Sequence, residues 1–157
     1  PSLFSKLTRN LPKDIRKELI ENYYMPYRTD VINAIGRFIE KGEEVVHLSI
    51  HSFAPELNGN IRNADIGLLY DPSRAEEKSF CKALKSELQN RDNSLKIRFN
   101  YPYRGTADGF TTSLRKIYPE NYRGIEIEVN QKFVKSNKMD PGINTNFFSS
   151  LEALIRN

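Results

Sequence analysis

"VVHLSIHSFAP", residues 45–55, contains both histidines of the chain, His47 and His51, inside a run apolar enough to be a core strand. The run is rich in β-branched and aromatic residues and is closed by Pro55, which favours a strand over a helix. Side chains alternate across a strand. Val46, Leu48 and Ile50 therefore share one face, and Val45, His47, Ser49 and His51 the other. Working outward from this strand fixes the fold class. Upstream, "LPKDIRKELIENYY" (11–24) reads as a helix with Pro12 in its first turn, and Pro26 is expected to end or redirect it. "YRTDVINAIGRFIEKG" (27–42) reads as a second helix, with Ile32, Ile35, Phe38 and Ile39 on one stripe and Gly42 as its stop. Downstream, "IGLLY" (66–70), "LKIRF" (95–99) and "GIEIEVN" (124–130) read as strands. Between them lie a helix to about Asn90, opened by a Ser73/Glu76 capping box, and a short helix through Leu114. "TNFFSSLEALIR" (145–156) closes the chain as a helix. Strands alternating with helices give an α/β layered sheet over 1–157, read as a single domain.

The 157 residues are 38% hydrophobic and 28% charged, as in ordinary globular proteins. The net charge of +4 is dispersed among acids, which argues against a nucleic-acid partner. No apolar run has the length of a membrane span. One cysteine excludes an internal disulfide and suits the cytoplasm. Cys81 shares a helical face with Phe80, Leu84 and Leu88 and reads as a small core residue. The chain starts at Pro1, without a signal peptide, and is expected to be part of a longer product.

His47 and His51 lie roughly 13 Å apart along a regular strand. Two ligands of one zinc sit within roughly 4 Å of each other, so both cannot bind the same ion. His51, at the carboxyl end of the strand, is the better ligand candidate; His47 reads as a core histidine. In "GIEIEVNQ" (124–131), Ile125, Ile127 and Val129 line one face and Glu126, Glu128 and Asn130 the other. Two carboxylates on one face mean either a site or the wet face of an edge strand. The polar loops "LNGNIRNADIGLLYDP" (57–72) and "NYPYRGTADGFTTSLR" (100–115) bring arginines and tyrosines to strand ends. Arg62, Arg104 or Arg115 could clamp a carboxylate there.

"HSFAP" (51–55), "GNIRNADIGLLYDPSR" (59–74), "NYPYRGTADG" (100–109) and "GIEIEVNQ" (124–131), with "LFSKLTRNLP" (3–12), together resemble the N-formylglutamate amidohydrolases. That family in turn resembles the zinc carboxypeptidases and the aspartoacylase-type deacylases. The resemblance implies a mixed sheet flanked by helices in a three-layer, zinc-carboxypeptidase-like fold, of which this chain would form the C-terminal part. It implies a metal-dependent amide hydrolase acting on N-formylglutamate or a related N-acyl amino acid. Within it His51 matches the zinc ligand and Glu128 the catalytic glutamate. Arg62, Asn100, Tyr103, Arg115 and Glu126 are the implied substrate-binding residues. The His-x-x-Glu motif that normally supplies two further ligands is missing here. Zinc binding by this chain as given is therefore expected to be weak or absent, and the chain alone inactive. A carboxypeptidase-like peptidase and a metal-free binding module for a small anion are the competing readings.

Overall fold

The computed structural model describes residues 4–107 and 109–156. Pro1, Leu3 and Asp108, which belong to features quoted above, lie outside them. The described chain divides into two compact units: the residues up to Val45 with Glu120–Tyr122, and Val46–Pro119 with the residues from Arg123 on.

The first unit is helical. Helix α1 spans Lys13–Leu19, a π-helical turn spans Ile20–Tyr24, and α2 spans Met25–Ile39. Pro26 neither ends nor redirects the chain, contrary to the sequence expectation. It sits in the first turn of α2, where its missing N–H is least costly, and the wide turn before it relieves crowding against the preceding carbonyls. Gly42 closes α2 at φ +78°, donating its N–H to Ile39 O at 2.9 Å. Ile35 is buried, but Phe38 in the last turn is exposed, with the Lys41 ammonium over its ring.

The second unit is built on a four-stranded mixed sheet. Strand β1 spans Val45–Phe53. A tight hairpin, β2 (Glu56–Leu57) and β3 (Asn60–Ile61), follows. Then come β4 (Ile66–Leu69), α3 (Ala75–Arg91), β5 (Ile97–Phe99), α4 (Phe110–Ile117) and β6 (Tyr122–Asn130). A second hairpin, β7 (Val134–Lys135) with β8 (Lys138–Met139), leads to α5 (Pro141–Ile155). The sheet order is β1-β6-β4-β5, with β4 parallel to β5 and antiparallel to β6.

The register decides which residues face which way. Ile66 lies opposite Val129 and Ile97, and Leu68 opposite Ile127 and Phe99. This apolar face packs with Cys81, Leu84 and Leu88 of α3 and Ile143 of α5 into one core. Gly67 lies opposite Glu128 and Leu69 opposite Glu126, so the carboxylates occupy the other face. β6 is an interior strand, which removes the wet-edge explanation for them; the edges are β5 and β1, whose Ile50 is 58% exposed. The Ser73/Glu76 capping box does not form. Ser73 bonds back to Asp71 through both its N–H and its hydroxyl, and α3 starts at Ala75, its N-cap position filled by Arg74 with no side-chain cap bond. Asx-type turns of this kind compete with helix caps for the same groups.

Candidate active site

Glu128 is carried on the polar face of β6, 6% exposed. Its Oε2 is buried and has no hydrogen-bond partner among the described residues. Such an oxygen is costly unless a ligand, water or proton completes it. Burial pushes the Glu128 carboxyl above its usual range; Glu126 pushes the same way, while His51 and Arg62 oppose. These four residues therefore share one electrostatic environment.

His51 stands at the exposed end of β1, its Nε2 2.9 Å from Ser49 Oγ on the same strand face. His47, two pleats earlier, is half-buried and packs edge-on against the Phe110 ring at 6.3 Å. Burial lowers its pKa, with Glu126 opposing, so it is neutral at pH 7. Glu126 accepts a 2.6 Å hydrogen bond from Thr111 Oγ1 at the start of α4. A Cβ at Gly109 would come within 2.8 Å of Glu126 Oε1, so the glycine leaves room for that carboxylate.

Arg62 follows directly on the β2–β3 hairpin, whose turn residues Asn58 and Gly59 both have positive φ, 52° and 76°. That is the turn type Asn-Gly favours. The hairpin is fastened by Arg62 N–H to Pro55 O at 2.8 Å. The guanidinium lies over the rings of Tyr103 (5.2 Å) and Phe53 (5.9 Å), and Nη1 donates to the Tyr103 hydroxyl at 3.2 Å. His51, Glu126, Glu128, Arg62 and Tyr103 are thus brought together.

Arg115 and Asn100 are not brought into this group. Arg115 is buried and donates twice to Glu77, at 2.9 and 3.0 Å, and to Gly105 O, Gly124 O and Thr112 Oγ1. A guanidinium has five N–H donors, and these five contacts use them. Asn100 Oδ1 accepts the N–H groups of Tyr70 and Gly105.

A family model of N-formylglutamate amidohydrolases matches residues 4–134. The chain belongs to that family. A crystal structure of an Agrobacterium tumefaciens gene product superposes with a TM-score of 0.71 at 23% identity, covering 98% of this chain and 62% of that one. A crystal structure of N-formylglutamate amidohydrolase from Ralstonia eutropha superposes at 0.64 with 20% identity, covering 89% and 53%. At such identities these likenesses concern the fold. The chain spans about three fifths and about half the length of these two proteins. No curated protein matches it.

For a member of the N-formylglutamate amidohydrolases, the resemblance above implies a catalytic zinc, which takes three protein ligands. Among the described residues no group of three or more His, Cys, Asp or Glu side chains could hold a metal ion. His51 is one suitable donor, but the residues present do not fit a complete zinc centre.

Sequence reasoning passed over three residues that touch the group around Glu128, Ser49, Phe53 and Thr111, and also Glu77, which holds Arg115 outside it. Ser49 could have been found from its i, i+2 relation to His51 on the strand. Glu77 stands in the 77/81/84/88 stripe of α3, where a carboxylate on a core face calls for a buried partner. Nothing in the sequence pattern marks Thr111.

Proposed function

We propose that this face of the sheet serves the hydrolysis of an amide bond in N-formylglutamate or a related N-acyl amino acid. The buried, unpartnered Glu128 Oε2, on a carboxyl that feels the charges of His51 and Arg62, carries this reading. A carboxyl raised by burial is a stronger proton acceptor than an ordinary glutamate, as a general base requires. Glu128 takes a proton from the attacking water as oxygen bonds to the acyl carbon. It then passes that proton to the nitrogen as the C–N bond breaks. For N-formylglutamate the products are formate and glutamate. Arg62, with its ring faces and one N–H already fixed, presents its remaining donors to the substrate carboxylate, a fork-to-carboxylate pairing. Glu126 keeps its bond to Thr111 and adds negative charge beside Glu128.

Zinc belongs to this proposal through His51 alone. The described residues do not complete its ligand set, so the steps above run only through groups of this chain. Family membership supports an amide hydrolase acting on a small molecule. The shortage of donors favours, as a second reading, a binding module that grips a small anion through Arg62.

The two readings separate in one experiment: formate release from N-formyl-L-glutamate by the complete gene product, with and without added zinc. Turnover supports the hydrolase. Saturable binding of N-formyl-L-glutamate without turnover under either condition supports the binding module.

A further inference from the structure

Tyr103 is 44% exposed, so burial alone does not fix its ring, yet it supplies both a face and a hydroxyl to Arg62. Its place is set by the two feet of the loop that carries it. At one foot, Asn100 stands at φ +49°, its N–H bonded to Leu68 O at 3.0 Å. Its Oδ1 receives Tyr70 N–H at 3.1 Å and, across the loop, Gly105 N–H at 2.9 Å. At the other foot, Gly105 lies so close to Tyr70 that a Cβ would fall 2.2 Å from the Tyr70 nitrogen. The Gly105 carbonyl accepts Arg115 Nη1 at 2.7 Å. Arg115 is itself held by Glu77, which is fully buried and also accepts N–H bonds from Asp71 and Gly124. A side chain anchored this way has one orientation available, because moving it leaves buried charge unpaired.

We propose that Asn100 and Arg115 are positioning residues that fix the loop 100–105 and, through Tyr103, set the direction of the Arg62 guanidinium. The proposal deepens the reading of Arg62 as the substrate-carboxylate clamp and takes its functional meaning from it. Neither residue touches substrate. Each acts by narrowing the orientations that Arg62 samples, so that less ordering remains to be done on binding.

The test uses the 157-residue chain and two chemical readouts. Adduct formation by phenylglyoxal is followed at Arg62 by peptide mass spectrometry, with exposed Arg37 as the reference. Cys81, fully buried, is followed with Ellman's reagent as a report on folding. The variants are Asn100→Gly, which accepts positive φ without strain and removes only the Oδ1 bonds, Arg115→Lys, Tyr103→Ala and Tyr103→Phe. We expect Asn100→Gly, Arg115→Lys and Tyr103→Ala to raise the Arg62 rate about threefold to tenfold, the factor that corresponds to losing one hydrogen bond. Cys81 stays closed in each, and Tyr103→Phe, which keeps the ring, falls between wild type and Tyr103→Ala. An Arg62 rate unchanged in the Asn100 and Arg115 variants overturns the proposal. So does a rise only in variants whose Cys81 also opens, since that is a structural role. Calorimetry with N-formyl-L-glutamate adds a separate arm: a wild type that does not bind it contradicts the clamp reading and leaves the adduct result standing.

Discussion

Glu128 is the residue on which the proposed chemistry turns, and its buried environment makes two linked predictions. Its carboxyl is raised above the unfolded value, so the neutral form is favoured in the fold. Its contribution to stability is therefore full below the unfolded pKa and is lost as pH rises through the folded value. Replacing it with Gln, neutral at every pH, is expected to raise Tm at pH 7. The gain should shrink as pH falls from the folded value toward the ordinary glutamate value of about 4.3, and be gone below it. Thermal melts from pH 4 to 8 check this, and a lower Tm at pH 7 would show that the carboxylate is stabilised by partners. Among the histidines, the strand spacing lets only one contact a given ion; His51 is the proposed ligand, and His47 packs against Phe110. In the complete gene product loaded with zinc, His51→Ala should lose metal while His47→Ala keeps it near wild type, as read by elemental analysis. That the two histidines stand apart on one strand could be read from sequence, because alternation and rise along a strand are local rules.

At the scale of elements, the strand–helix alternation, the apolar face of β6 and the core stripe of α3 were all legible, since each rests on a short-range period. The first hairpin was read as a loop although Asn58-Gly59 carries a hairpin signal, and the second lies in a stretch given no element; their two-residue strands offer no alternation to notice. The roles of Asn100 and Arg115 were not legible, because their partners lie 30 and 38 residues away in sequence. An arginine in a polar loop looks the same whether it faces substrate or a buried glutamate. The close approach at Gly67 was likewise invisible. There a Cβ would meet Tyr101 O at 1.8 Å, backbone against backbone in the centre of the sheet. Gly67→Ala is expected to destabilise by about 1–3 kcal/mol or more, the range of overpacked cores. Breaking the Glu77–Arg115 pair by Glu77→Ala should cost about 3–5 kcal/mol, because it leaves a buried charge unpaired. Urea denaturation measures both, and a Glu77→Ala value within about 0.5 kcal/mol of wild type, the range of ordinary surface changes, would contradict the buried pairing.

At the scale of the whole molecule, two facts stand together. The chain belongs to the N-formylglutamate amidohydrolase family, and its sheet carries Glu128 and Glu126 on one face of β6, with His51 and Arg62 in the same electrostatic environment as Glu128. Its described residues hold no complete metal-ligand group, and none of their helices is long and apolar enough to cross a membrane. Isothermal titration of this polypeptide with zinc should accordingly show weak binding or none; tight one-to-one binding would mean that a full ligand set forms from these 157 residues. In the proposed reaction Glu128, and not Glu126 one pleat away, moves the proton. The two stand about 6.6 Å apart along β6, so only one can reach a given water within about 2.6–3.2 Å. Glu126 is already engaged with Thr111, whereas Glu128 has an oxygen to spare. The most direct measurement is kcat for formate release from N-formyl-L-glutamate by the complete gene product with Glu128→Gln and with Glu126→Gln. Glu128→Gln should lower kcat by about 10²–10⁴, the usual worth of a positioned acid–base group, with Glu126→Gln affecting mainly KM or stability. Turnover abolished by Glu126→Gln and retained by Glu128→Gln would contradict the account and exchange the two roles.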